Sequence, residues 1–115
     1  MKEAELKEKI LEADISDKQN CIIKKDGVTY PDNTVITDNF TNYQIGTCRN
    51  FEWKDNEFYG EIELRDDIGK INLKDKIFRV EGLATEHHLE NGINVVDEFE
   101  IKSVSLINKE NDVYD

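Results

Sequence analysis

The chain's two histidines stand side by side, in Glu86-His87-His88. Imidazole titrates near neutral pH and binds metals, so the pair invites acid–base or metal chemistry. The spacing works against it, because adjacent side chains leave a strand on opposite faces and diverge by about 100° on a helix. Joint ligation then needs a third ligand from elsewhere, and no zinc-like Cys/His spacing accompanies them. His87 and His88 are thus the only metal candidates, a solvated loop is their expected setting, and no cofactor is expected. Glu61, Glu63, Asp66 and Asp67 could do glycosidase-type chemistry only by converging in a cleft. Alternation instead puts Glu61 and Glu63 on one exposed sheet face. Ser103 and Ser105 lack the glycine elbow of an activated nucleophile, and there is no glycine-rich phosphate loop. Cys21 and Cys48 read as buried thiols, since nothing marks the chain for an oxidising compartment.

The elements that must position these groups are mostly strands. Ile45–Leu64 alternates with period two: Ile45, Phe51 and Trp53 share one parity, and after Lys54-Asp55-Asn56 the residues Phe58, Gly60, Ile62 and Leu64 share another. That pattern predicts an antiparallel hairpin with one buried face, and with the only Trp it is the expected centre of the core. Cys21–Lys25 and Val28–Tyr30 flank Asp26-Gly27, which predicts a second hairpin. Val35 and Ile36 begin another strand, and the apolar residues from Lys70 to Val80 (Ile71, Leu73, Ile77, Phe78, Val80) are assigned to strands. Asn91-Gly92 marks a turn. Residues 95–108 alternate over a long run whose apolar parity switches after Ile101, predicting a bulge, a bend or burial on both faces. Residues 1–15 place Ala4, Leu6, Ile10, Leu11 and Ile15 at mostly helical spacing, with Glu3–Lys7 and Glu5–Lys9 at i,i+4, and predict an amphipathic helix or arm. Residues 16–108 then form a single β-rich domain, and 109–115 a frayed polar tail. The fold expected is mainly β (α+β): a small antiparallel β-barrel of six to seven strands with a short N-terminal helix.

Composition narrows the function. Of 115 residues, 37% are hydrophobic and 36% charged, which implies a small core in a charged shell. The formal charge of −11 argues against direct nucleic-acid binding, which needs clustered Lys and Arg. No apolar run approaches the roughly 20 residues of a membrane span, and no signal peptide opens the chain. A cytoplasmic or virion-associated protein that acts on a protein partner, away from membranes, is expected.

Four segments resemble the tailed-phage prohead (capsid maturation) protease family, whose barrel is related to herpesvirus assemblin. Ile45-Gly46-Thr47 and Trp53–Leu64 are similar to the family's strand–turn–strand block. Gly82-Leu83-Ala84-Thr85 stands where the family has Gly-Leu-Ser-Ile-Gly, and Phe99–Asn108 is similar to its closing strand. The resemblance spans residues 35–108. It aligns Asn39 with the family's catalytic His and Ala84 with its nucleophilic Ser, so it implies a degenerate, non-catalytic member. A carboxamide cannot accept a proton near neutral pH, and a methyl group cannot attack a carbonyl.

Three readings result. The first is a non-catalytic binding or structural domain from a phage or mobile element. The second is an acidic DNA mimic that occupies a nucleic-acid-binding protein, with carboxylates crowded between Glu52 and Asp67. The third is an enzyme using His87 or His88 with carboxylates.

Overall fold

The computed structural model describes residues 6–39, 41–66 and 73–114. Residues 1–5 of the expected helix, Asp67 and Ile71 lie outside them. The described chain is mainly β, with eight strands: β1 (Leu6–Glu12), β2 (Cys21–Ile23), β3 (Val28–Thr29), β4 (Asn33–Asp38), β5 (Gln44–Lys54), β6 (Glu57–Leu64), β7 (Lys76–Glu90) and β8 (Ile93–Asn108). They form one curled half-barrel sheet, in the order β1-β6-β5-β4-β8-β2, with β3 and β7 also paired to β8. The sheet is mixed, which corrects the expected antiparallel barrel. β7 runs antiparallel along one edge of β8, while β2, β3 and β4 run parallel along the other.

The expected N-terminal helix is also corrected, because residues 6–12 are β1, antiparallel to β6 from Leu6↔Ile62 to Glu12↔Glu57. Helical spacing and a bulged strand look alike here. The register shifts between Lys9 and Leu11, which allows the neighbours Ile10 and Leu11 both to be fully buried. A Glu/Lys-rich segment this short gains little helix stability alone. Covering the open edge of β6 offers hydrogen bonds and a core face together.

The predicted 45–64 hairpin is present as β5 and β6, joined at Asp55-Asn56 with Asp55 at φ 55°. A bulge interrupts its alternation. Asn50 sits at φ 54°, and the register shifts between Arg49 and Glu52, so Cys48 before it and Phe51 and Trp53 after it reach the same core. Phe58 is buried among Tyr30, Phe51 and Trp53, with ring centroids at 4.8, 5.4 and 4.5 Å. Gly60 lies beneath this cluster, where a Cβ would overlap the Cys48 Sγ and crowd the Phe51 ring. Both cysteines are free thiols. Cys48 is buried and Cys21 half-buried, and burial pushes the Cys48 thiol up to about 12.

The Asp26-Gly27 hairpin does not form. β2 and β3 follow the same edge of β8, pairing with Asn94–Val96 and with Phe99–Glu100, and Lys25–Gly27 is a 3-10 turn between them. Gly27 is needed for close approach, since a Cβ there would run into the Asp97 carbonyl.

Among the described residues the two edges of the curled sheet, β1 and β7, meet without a ladder, and the Arg79 side chain ties them together. Arg79 on β7 donates to the Lys9 carbonyl of β1 at 2.9 Å. Its Nε and Nη2 donate to the two carboxylate oxygens of Asp112 at 3.0 and 2.8 Å. The Arg79–Asp112 pair is nearly buried, with side-chain exposures of 11% and 8%. Tyr114 places its ring 5.8 Å from the guanidinium, and the Lys18 N–H donates to the Val113 carbonyl at 2.7 Å. Residues 109–114 are therefore docked, where the sequence alone predicts a frayed tail.

Burial pushes the Asp112 carboxyl upward, but the Arg79 guanidinium and the Tyr114 amide outweigh it and hold the group below its ordinary value. A depressed carboxylate stabilises the fold above its unfolded pKa, and that contribution is lost as pH falls through the folded value. Urea titrations should show the wild type losing stability below about pH 4, with part of that loss absent in Asp112→Asn. Arg79→Met at pH 7 should cost about 3–5 kcal/mol, because it strands a buried carboxylate.

Candidate interaction surface on the β7–β8 hairpin

Asn91 and Gly92, at φ 53° and 80°, form the tight turn that joins β7 to β8, as their identities predict. A fifteen-residue strand is about 50 Å long at 3.3 Å per residue, and the molecule's longest dimension is 50 Å. The hairpin thus runs the length of the protein. Its near end, around Phe78 and Ile107, is core. At its far end every β7 residue from Leu83 to Glu90 is exposed, including Leu83 at 56% and Leu89 at 77%.

The histidines lie in this strand, which corrects the expected loop. His88 turns toward β8, with its Nδ1 2.6 Å from the Asp97 carboxylate and its Nε2 3.8 Å from Glu90. His87 is opposite Val96, one register step from the His88–Val95 pair, so the two imidazoles leave opposite faces as adjacent strand residues must. No group of three or more His, Cys, Asp or Glu among the described residues could hold a metal ion.

The other sequence candidates are dispersed. Asn39 donates its backbone N–H to the Leu106 carbonyl, whereas Ala84 pairs with Phe99. Seven residues of β8 separate those partners, on the order of 20 Å by strand rise, so Asn39 and Ala84 do not share a site. Ser103 donates to Glu81 at 3.0 Å, and Ser105 is buried beside the Thr37 carbonyl. Glu61 accepts from Asn50 at 2.8 Å, and Glu63 pairs with Arg49 at 3.3 Å. Glu52 pairs with Lys7, and Glu57 lies 3.5 Å from the Lys9 ammonium. Glu52, Glu57, Glu61 and Glu63 of the acidic run are in this way matched by basic and amide groups on nearby strands.

The hairpin is different. Between Arg79 and Lys102 there is no Lys or Arg, while Glu81, Glu86, Glu90, Asp97, Glu98 and Glu100 all fall there. Among the described residues the lysine found against these carboxylates is Lys102, 3.0 Å from Glu100. The missing Lys and Arg were visible in the sequence. Their meaning appears only once strand pairing shows which acids have basic neighbours.

A cavity of about 450 Å³ opens beneath the Arg79 clasp, lined by Ile10, Leu11, Val80, Phe99 and Tyr114 among others. Its charged lining groups are engaged: Arg79 with Asp112, and Asp17 with the backbone N–H groups of Gln19 and Cys21. The hairpin end is therefore the better candidate for contact with another molecule. No helix among the described residues is long and apolar enough to cross a membrane.

The hydrogen bond that His88 makes to the Asp97 carboxylate, with the charges of Asp97 and Glu90, raises the His88 pKa above its ordinary value against the opposing desolvation. A raised imidazole stabilises the folded state fully below its unfolded pKa, and that contribution is lost as pH rises through the folded value. An NMR titration of His88 should give a midpoint above about 6.5, and Asp97→Asn should lower it. Comparison with known protein families, with curated proteins and with solved structures finds no match to this chain.

Proposed function

We propose that this protein is a non-catalytic binding module that takes a basic protein partner on the acidic end of the β7–β8 hairpin. One observation carries the reading: six carboxylates and no Lys or Arg lie between residues 81 and 100 of the paired strands β7 and β8, with Glu86 and Glu90 on the exposed Leu83–Glu90 stretch of β7 and Glu100 beside Lys102. Uncompensated like charges on a surface project a field that attracts opposite charge and raises association rates. Nucleic acid carries the wrong sign for such a surface. A binding role also suits the placement of the groups that could do chemistry. The imidazoles face apart, and Asn39 and Ala84 lie at separate levels of β8. The protease resemblance adds nothing to this surface, since its key positions are not gathered there. A nucleic-acid-binding protein is one class of basic partner with which the hairpin's carboxylates could compete as phosphate substitutes.

Binding of a fluorescent oligolysine probe should weaken steeply with added salt, because screening contracts the reach of surface charge to about 8 Å at physiological ionic strength. Glu86→Lys/Glu90→Lys should abolish most of that affinity, whereas Glu61→Lys/Glu63→Lys on the compensated face should change it far less. Equal losses in the two variants would show that overall charge, not the hairpin, attracts the probe.

A further inference from the structure

We infer that the open edge of β7 from Leu83 to Glu90 accepts one extended, Lys/Arg-rich segment of a partner protein as an added strand; this rests on the basic-partner reading above. β8 is occupied on both edges, by β7 on one and by β2, β3 and β4 on the other. β7 has β8 on one edge only. Toward its start the other edge is approached by β1 through the Arg79–Lys9 bond. Beyond Gly82 no described strand or loop backbone pairs with it. Every second residue of an edge strand directs its N–H and C=O outward, so eight residues present about four such donor–acceptor pairs. An extended peptide that pairs there gains main-chain hydrogen bonds, with side-chain alternation supplying specificity.

The exposed side chains define the occupant. Glu86 and Glu90 stand on the edge strand itself, with Asp97 and Glu98 on the strand behind. Cross-strand neighbours lie about 5 Å apart, where opposite charges stabilise a pair and like charges oppose it. A second copy pairing edge to edge would set carboxylate against carboxylate, whereas a Lys/Arg-rich segment would match them. Leu83 and Leu89 offer apolar positions at the two ends of the same edge. The register breaks around Glu86 in the β7–β8 ladder, and such irregularity limits indiscriminate edge pairing. The edge thus resists self-association while remaining open to a matched segment.

The test uses the full chain, ¹⁵N-labelled, with an alternating Lys-Val octapeptide and its fully N-methylated counterpart, which keeps the charge but cannot donate backbone hydrogen bonds. The octapeptide should shift the amides of Leu83–Glu90 and slow their exchange. Complete N-methylation should weaken binding by roughly tenfold or more, as expected for several lost hydrogen bonds. Glu86→Lys/Glu90→Lys, both fully surface changes, should weaken the unmodified peptide further. Equal binding of the two peptides would overturn strand addition. If that binding stayed salt-dependent and sensitive to charge reversal, the basic-partner reading would survive. No binding of either peptide at low salt would remove both. Exchange protection of Leu83–Glu90 caused by self-association without peptide would also overturn the inference and assign the edge to a second copy.

Discussion

β8 is hydrogen-bonded by β7 along one edge and by β2, β3 and β4 in turn at three places along the other, and the rest of the sheet is arranged around that constraint. A strand so placed has no solvent-facing edge, and its faces must be covered as well. From Ser103 to Ile107 five successive residues are buried, so alternation gives way to continuous burial. The register shift opposite Glu81 and Gly82, which skips Lys102, accompanies this change and keeps that lysine in solvent. Three separate parallel segments, β2, β3 and β4, share the edge that one long strand could have occupied. The chain between Cys21 and Asp38 is consequently held along β8 and not folded on itself.

Curling such a sheet brings β1 near β7, and a closed barrel would join them by a ladder. Here Arg79 bridges them. Its guanidinium serves a backbone carbonyl of β1 and the carboxylate of Asp112 together, so the C-terminal segment becomes part of the closure. A planar, permanently charged group with several donors can satisfy these acceptors in one place, which an ammonium cannot do as well. Closure by a side chain is local, however. It fastens the near half of β7 and leaves the far half with an unpaired edge.

Charge follows the same division. The strands β1, β5 and β6 bring Lys7, Lys9 and Arg49 against Glu52, Glu57 and Glu63. The far hairpin has no neighbouring strand on its open side to supply such partners. An acidic composition that reads as general solubility is thereby resolved into a face whose glutamates are largely paired and an end where Glu86 and Glu90 stand without a Lys or Arg beside them among the described residues. His88 sits within that end between Asp97 and Glu90, and its protonation reduces the local negative charge as pH falls.

By itself the sequence determined the mainly β character, the 45–64 hairpin, the Asn91-Gly92 turn and the departure from alternation after Ile101. Each depends on periodicity or turn chemistry within a few residues, and such signals survive whatever the rest of the chain does. It also carried the run without Lys or Arg in the hairpin. Only the tertiary structure decided that residues 6–12 are a strand, because Leu6, Ile10 and Leu11 fit both a helix and a bulged strand, and the open edge of β6 makes the choice. Only tertiary contacts turned Asp26-Gly27 from a hairpin into a kink along β8, and the C-terminal segment into part of the closure through Arg79 and Asp112. Partners far along the chain, such as Ile62 for Leu6, Phe99 for Val28 and Asp112 for Arg79, set these outcomes, and local pattern holds no record of which distant edge a strand will meet.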